Sequence, residues 1–370
     1  MRTAKERPSV RLAALLALGG GLALVPSRLF AWGFVGHKAI GIIAQERLSP
    51  RTLGAVEAIL GRNNQGQSVS LADIAACPDE LKYAKQSPFV CAGVIEIASG
   101  EQSAFGTVAL PWKASSAWHF ANVPNAASPD ASDIEQYCPD NANGNPAKKC
   151  VMAQVKYDMQ VLESPSSSLG DRQLALMFLV HFVGDEHQPL HVNDDNDWGG
   201  NKKKVVFEGQ PLNLHALWDD VLTPRYGAMS ETPQAQAADA ADLAAKLDQD
   251  LGSRDVSAWT TGQDLPDEAA VESFYIAKNV IRPGYARDYD ASRDAAVFGP
   301  DYVTQMQPIA YEQLEKSGVR LAYFLNQIFN QAQGAAVQAA PAPKKTAFQK
   351  ALDGVLNFSF LKGAAWDGGN

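Results

Sequence analysis

The segment LVHFVGDEHQPLHV, residues 179–192, places three histidines and one aspartate within eleven positions. The whole chain has 370 residues and only six histidines. On a helix, residues four apart share a face, so His181 and Asp185 point the same way from the end of a largely apolar helix. Pro189 ends the helical run, and His191 follows it on a turn. Imidazole nitrogen and carboxylate oxygen at short range are typical zinc ligands, so the segment predicts a metal site.

A second array, NLHALWDD at residues 213–220, repeats this arrangement with His215 and Asp219 four residues apart. A single His-x3-Asp pair is usually an ordinary hydrogen bond on a helix surface. Two such pairs, with His191 between them in a chain so poor in histidine, favour metal binding instead.

The three other histidines are less informative by themselves. His187 lies two residues beyond Asp185 and points away from that face, which predicts a role in packing or in supporting a ligand. His37 in WGFVGHKAIG and His119 in SAWHFANVP would each, alone, indicate a structural residue.

The composition, 46% hydrophobic and 20% charged, is that of a globular protein with a core. Apolar residues at helical spacing predict helices in GHKAIGIIAQERL, DRQLALMFLVHFVGDEH, ADAADLAAKLDQDL and EKSGVRLAYFLNQIFNQ. Asp171 is the predicted N-cap of the second. The best strand signal is KKVVFEG near Val205, and the loops are long, notably 122–148. We therefore expect an all-α fold, with a single mostly helical domain over residues 32–330 and a linker and C-terminal tail over residues 331–370.

The formal net charge of −9 disfavours nucleic-acid binding through a broad basic surface. This charge does not exclude an anionic substrate, because bound cations can supply positive charge locally.

Residues 1–31 predict an export signal. The first eleven residues carry four basic side chains, and residues 12–25 are apolar or glycine throughout. Ala31 stands at a plausible cleavage position, although Leu29 is larger than the residue usual at −3. The alternative is an uncleaved membrane anchor, but the run is short for a bilayer span. We expect a secreted or periplasmic protein whose mature chain begins at Trp32.

The four cysteines, Cys77, Cys91, Cys138 and Cys150, allow three pairings. We favour Cys77–Cys91 and Cys138–Cys150, because each pair brackets a loop-rich stretch. The cysteines are a weaker zinc-site candidate, since none has CxxC spacing and an oxidising compartment favours disulfides.

The order of motifs resembles the zinc-dependent, single-strand-specific nucleases typified by the fungal nucleases S-one and P-one. These are similar in fold and metal site to the three-zinc bacterial phospholipases C. The family pattern is an N-terminal Trp-Gly, a Gly-His, an Asp-Glu run, an aromatic-His-aromatic triplet, H-x2-G-D-x-H-Q-P-L-H and N-L-H-x-x-W-D. It is matched here, in order, by WGFVGH, ACPDELK, WHF, HFVGDEHQPLH, GGN and NLHALWD, with GVRLAYFLNQ like the family's last helix.

The resemblance implies a fold of the phospholipase C and nuclease P-one type with a trinuclear zinc cleft. In the family, the N-terminal Trp binds zinc through its amino nitrogen and carbonyl oxygen, so removal of the signal would be required for activity. The implied ligands are Trp32, His37 and Asp185 for one zinc; Asp79, His119, His181 and the shared Asp185 for a second; and His191, His215 and Asp219 for a third.

Two departures from the family pattern affect the site. Asp73 is a rival to Asp79, which we prefer because PDELK matches the family's run and places Lys82 three residues on. After His119, the chain has Asn122 and Pro124 and lacks the acidic residue found there in fungal members.

By resemblance, the protein is expected to hydrolyse single-stranded DNA and RNA to 5′-phosphate products and to act on 3′-nucleotides, with three Zn²⁺ as cofactors. Asp185 and Lys82 are the expected catalytic residues, and Phe120 and Asn201 the expected substrate-binding residues. Core packing is the alternative for Phe120.

We expect a monomer without stable membrane association. A phospholipase C on the same metal scaffold and a non-catalytic zinc-binding protein are the alternative functions.

Overall fold

The computed structural model describes residues 32–82, 89–97, 102–103, 106–107, 112–139, 149–221 and 232–330. The predicted export signal and the predicted linker and tail lie outside these ranges. Among the described residues, no helix combines the length and apolar character needed to cross a bilayer.

The described chain is mainly helical, which confirms the predicted fold class. Its α-helices are α1 Gly33–Gln45, α2 Pro50–Leu60, α3 Leu71–Ile74, α4 Cys77–Lys82, α5 Val151–Glu163, α6 Leu169–Glu186, α7 Pro189–Val192, α8 Leu214–Ala216, α9 Pro233–Leu251, α10 Leu265–Ile276, α11 Arg282–Arg287 and α12 Pro300–Asn330. Short 3₁₀ turns span Trp112–Trp118, Ile134–Tyr137 and Ser257–Thr260, and π turns span Leu217–Val221 and Ala277–Ile281.

Short strands supplement the helices. They are β1 Phe89–Cys91, β2 Ile95–Ile97, β3 Gln102–Ser103, β4 Gly106–Thr107, β5 Val123–Pro124, β6 Asn193–Asp194, β7 Lys204–Phe207, β8 Gln210–Asn213, β9 Tyr289–Asp290 and β10 Ala295–Phe298. The largest sheet has the order β8-β7-β10-β9, with β7 and β10 parallel. Strand β7 is the one predicted near Val205. The β7–β8 hairpin turns at Glu208 and Gly209, both with positive φ (48° and 81°), as a tight two-residue turn requires.

Helix α6 forms the centre of the core. It is buried without interruption from Leu174 to Glu186, and it packs against α5, α12 and α1. A helix that is apolar on all sides is stable only when it is enclosed, which explains its central position. The prediction of Asp171 as its N-cap was wrong. Ser168 is the N-cap and accepts from the Asp171 N–H, while the Asp171 carboxylate accepts from the Ser168 N–H in a capping box.

The predicted disulfide pairing is confirmed. Cys77 bonds to Cys91, and Cys138 bonds to Cys150. Cys77 is the first residue of α4, the helix that carries Asp79, so the first disulfide ties α4 to strand β1.

Candidate metal centre

Side chains from α1, α4, α6, α7, α8 and the flanking turns converge at the C-terminal end of α6. Eight of the nine predicted ligands contribute side chains to three groups, in each of which the possible ligand atoms lie within 4.8 Å of one another. Every member is buried. The groups are His37, His181 and Asp185; Asp79, His119 and His181; and His191, His215 and Asp219.

Asp185 lies where these groups meet. Its Oδ1 is 3.3 Å from His37 Nε2, and its Oδ2 is 2.8 Å from His119 Nδ1 and 3.3 Å from His181 Nε2. Burial would raise the pKa of Asp185, but the charges of His181 and His191 hold that pKa well below its usual range. A single ionised carboxylate therefore faces the histidines of two neighbouring groups.

Asp79 joins the same cluster, and Asp73 does not. Asp79 Oδ1 lies 3.4 Å from His181 Nε2, 3.7 Å from His119 Nδ1 and 2.5 Å from Lys82 Nζ. Burial would raise the pKa of Asp79, but the Lys82 ammonium and His181 lower it below its usual value. The Asp73 carboxylate is used elsewhere, because it accepts from the N–H and the hydroxyl of Ser70 at the start of α3.

Three of the histidines are held through one ring nitrogen. Nδ1 of His181 donates to the carbonyl of Ala75 at 2.7 Å, Nδ1 of His191 to the carbonyl of His119 at 2.7 Å, and Nδ1 of His215 to the carbonyl of Gly199 at 2.8 Å. These bonds place a ring proton on Nδ1, so Nε2 is the nitrogen that faces the group. Burial lowers the pKa of His181, but Asp185 and Asp79 raise it to about 10, so its Nε2 must lose a proton to bind a metal ion. Fixing the tautomer in this way is the usual arrangement around metal-binding imidazoles.

Several polar atoms of the cluster have no hydrogen-bond partner among the described residues. They include both ring nitrogens of His37, Asp185 Oδ1 and Asp219 Oδ2, all of them buried. An unsatisfied buried polar group costs about 1–3 kcal/mol, so these atoms require another partner. Nitrogen and carboxylate oxygen donors with free lone pairs, converging in a buried site, fit divalent metal ions and zinc in particular.

Gly184 makes room for the first group. A Cβ at this position would lie 2.8 Å from His37 Nδ1 and 2.9 Å from its Cε1. The absence of a side chain therefore lets the His37 ring stack on His181, with 3.9 Å between ring centroids.

Trp32, the ninth predicted ligand, contacts the residue that precedes Asp185 of the first group. Its side chain is buried, and the indole Nε1 donates to the carbonyl of Gly184 at 2.8 Å. Its φ of 45° starts α1 from a left-handed conformation. The Trp32 carbonyl accepts from the Gly36 N–H at 3.0 Å and keeps a second lone pair. The indole thus anchors residue 32 to the main chain of Gly184, the residue before Asp185.

His187 lies outside the three groups, as the sequence predicted. Its Nδ1 donates to the carbonyl of Val183, and its Nε2 accepts from Arg320 at 2.7 Å. Burial and the Arg320 charge lower the pKa of His187 to about 3, so the ring is neutral. Its contacts anchor the end of α6 to α12.

The predicted substrate-binding residues, Phe120 and Asn201, are close in sequence to residues that belong to or contact the three groups. Phe120 follows His119 and is half-buried. Asn201 donates through Nδ2 to the carbonyl of Trp198 at 2.7 Å, and its Oδ1 is buried without a partner among the described residues.

Trp198 is an exposed aromatic residue that the motifs did not indicate. Its side chain is 68% exposed, with the Lys202 ammonium 4.1 Å above the ring. It precedes Gly199, whose carbonyl receives the His215 bond, so an exposed aromatic surface adjoins the third group. The sequence signal was the tryptophan immediately before GGN.

A mostly helical domain with a buried His/Asp cluster that could hold several metal ions is an arrangement found in metal-dependent hydrolases. The S1/P1 nuclease family model matches residues 32–330, and the chain belongs to this family. It is 31% identical to Endonuclease 3 of Arabidopsis thaliana over 313 residues, 81% of this chain and 89% of that protein. It is 27% identical to Nuclease S1 of Aspergillus oryzae, over 86% of this chain and 98% of that protein. It is 28% identical to Nuclease P1 of Penicillium citrinum, over 80% of this chain and 97% of that protein. The chain is therefore a nuclease, a hydrolase that acts on nucleic acids.

Proposed function

We propose that this nuclease is an exported, zinc-dependent endonuclease that hydrolyses single-stranded DNA and RNA to 5′-phosphate products and also acts as a 3′-nucleotidase. The observation that carries the proposal is the set of three buried His/Asp groups, two of which meet at Asp185. The relatives named nucleases and endonucleases support it.

Each group is proposed to hold one zinc ion, with the ligands assigned above by resemblance and Asp185 shared between the first two. When bound, the zinc ions activate water at neutral pH and neutralise charge on the phosphoryl oxygens. Asp185 would contribute negative charge to both of the groups that it faces. Lys82, whose ammonium is fixed by Asp79, adds a positive charge beside the phosphate.

Selection for single strands rests on the aromatic residues at the edge of the cluster. Phe120 and Trp198 offer surfaces on which an unpaired base can stack, a contact worth about 1–3 kcal/mol per base and tolerant of sequence. The unpartnered Oδ1 of Asn201 can accept a hydrogen bond from a base. A base paired inside a duplex cannot reach these residues while its phosphate reaches the buried groups. An overall negative charge is compatible with this substrate, because the metal ions supply the local positive charge.

Export is proposed from residues 1–31 together with the two disulfides, which form in oxidising compartments. The protein is proposed to be a secreted or periplasmic monomer with one catalytic domain over residues 32–330 and a C-terminal tail over residues 331–370. Single-stranded DNA, RNA and 3′-nucleotides are its proposed substrates.

A substrate panel tests the proposed activity. Single-stranded DNA, RNA, duplex DNA, a 3′-mononucleotide and phosphatidylcholine are offered to one purified preparation. We expect rapid cleavage of both single strands, release of phosphate from the mononucleotide and slow cleavage of the duplex. Preferred hydrolysis of phosphatidylcholine would indicate a phospholipase C, and binding of zinc with no hydrolysis would indicate a non-catalytic protein.

Processing gives a second prediction. A form extended by one alanine before Trp32 is expected to bind the first zinc at least about tenfold more weakly and to lose activity, because an acylated nitrogen has no lone pair to offer. The extension can instead be a protease recognition sequence that ends immediately before Trp32, so that cleavage regenerates the free Trp32 amine in the same sample. Zinc titration before and after cleavage measures the effect. Equal affinity in the two states would exclude an amine ligand.

A further inference from the structure

The three side chains of the third group, His191, His215 and Asp219, each use one polar atom for a bond directed away from the group. For the two histidines, the outer partner is a main-chain carbonyl, of His119 and of Gly199 respectively. For Asp219, it is the side-chain amide of Gln188, which donates to Oδ1 at 2.5 Å. Among these three bonds, only that of Gln188 comes from a side chain, so only this one can be removed by substitution.

The orientation of the Gln188 amide is fixed by its surroundings. Its Oε1 accepts from the main-chain N–H of Leu190 at 2.6 Å. Since that N–H can only donate, the oxygen of the amide must face Leu190, and the nitrogen must face Asp219. The side chain is fully buried, so water does not compete for either bond.

The same side chain acts on a second ligand. The bond from Leu190 makes Gln188 the N-cap of α7, the short helix that carries His191. Pro189, at the first position of that helix, has no N–H, so the bond to Leu190 satisfies the first available donor. Gln188 therefore joins the segment that bears His191 to the turn that bears Asp219.

The bond also determines which Asp219 oxygen remains available. With Oδ1 engaged by Gln188, Oδ2 lies 3.4 Å from His215 Nε2 and has no hydrogen-bond partner among the described residues. Rotation of the carboxylate about its Cβ–Cγ bond would break the contact with the Gln188 amide. The amide thus keeps one oxygen aimed at the histidine of the group.

We propose that Gln188 is a positioning residue for the third metal ion, orienting Asp219 through its N–H donor while capping the helix of His191. This proposal rests on the proposed function, because it assumes the three-zinc cluster. The two side-chain bonds of Gln188 go to Asp219 and Leu190, and neither reaches the two groups that meet at Asp185. Its loss should weaken the third site selectively.

Two substitutions separate the two bonds. Gln188→Glu keeps an oxygen for the Leu190 N–H but replaces the donor to Asp219 with a second carboxylate oxygen. Gln188→Met has similar length and removes both bonds. Asn213→Ala is the matched control, because Asn213 caps α8, the helix of His215, by accepting from the Ala216 N–H at 2.8 Å. The control removes a cap beside a ligand without removing an outer bond of that ligand.

Zinc affinity is the readout, measured by competition with a chromophoric chelator and by metal analysis. We expect both Gln188 variants to bind one zinc about 10–100-fold more weakly than the wild type, with the other two unchanged. Asn213→Ala should keep all three affinities. Wild-type affinities in both Gln188 variants, or equal weakening of all three zincs, would overturn the inference. Fewer than three zincs in the wild type would instead overturn the proposed metal set, and with it this role. Melting curves by circular dichroism identify any variant that has not folded.

Discussion

Removal of zinc with EDTA is expected to lower the rate of single-stranded DNA hydrolysis by more than about a thousandfold, a rise of at least about 4 kcal/mol in the barrier. Added zinc should restore the rate. The reason is that several buried polar atoms of the cluster have no hydrogen-bond partner among the described residues, and the only ammonium placed in the cluster by the described contacts is that of Lys82. Without a metal ion, the phosphate would meet the carboxylates of Asp79 and Asp185 with little opposing charge.

The control for this experiment is EDTA that has already been saturated with zinc, which cannot remove the metal but reproduces any other effect of the chelator. Circular dichroism is needed in parallel, because metal binding and folding are coupled in many metalloproteins. Metal analysis should find about three zincs before treatment. Undiminished hydrolysis after verified loss of zinc would contradict the proposed function.

The parts of this site that are local in sequence could be predicted from it. The pairs His181–Asp185 and His215–Asp219 follow from helical periodicity, because residues four apart share a face wherever the helix lies. The burial of α6 follows from its nearly continuous apolar sequence.

The residues that join the cluster over long sequence distances could not be predicted in that way. Nothing in the spacing brings Asp79 or His119 to His181, and only the family resemblance indicated them. The choice between Asp73 and Asp79 depended on that resemblance too, although the Ser70-x-x-Asp73 pattern is a recognisable capping box. The same kind of box at Ser168 shows why Asp171 was wrongly predicted as a cap: a carboxylate three residues after a serine supports the cap from inside the helix.

The outer bonds of the ligands are the least predictable part. They depend on carbonyl groups at Ala75, His119 and Gly199, and main-chain groups carry no sequence signal of their own. Gln188 belongs to the motif QPLH, but its contact with Asp219 crosses 31 residues and depends on where the β7–β8 hairpin returns the chain. Strand β8 ends at Asn213 and α8 begins at Leu214, so the hairpin delivers His215 to the cluster.

Replacing Asp185 with asparagine is expected to lower kcat/KM for single-stranded DNA by at least about a thousandfold, about 4 kcal/mol. Asparagine keeps the shape of the side chain but removes the charge. The charge is expected to affect two zinc sites. Oδ1 faces His37, a ligand proposed for one zinc ion, and Oδ2 faces His119 and His181, ligands proposed for another. Two dications bound in these neighbouring buried groups would repel each other strongly, and the Asp185 carboxylate would offset part of that repulsion.

Asp219→Asn is the matched comparison, since it also removes one buried carboxylate charge from the cluster. Asp219 belongs to the third group only, and its Oδ1 can still be held by Gln188 if the asparagine presents its oxygen there. The pair of zincs proposed at Asp185 should therefore remain, and the loss of activity should be smaller. Metal analysis should find fewer zincs retained in Asp185→Asn than in Asp219→Asn, with circular dichroism confirming that both variants fold. Near-normal turnover of Asp185→Asn with three zincs bound would show that this carboxylate does not bridge two metal ions.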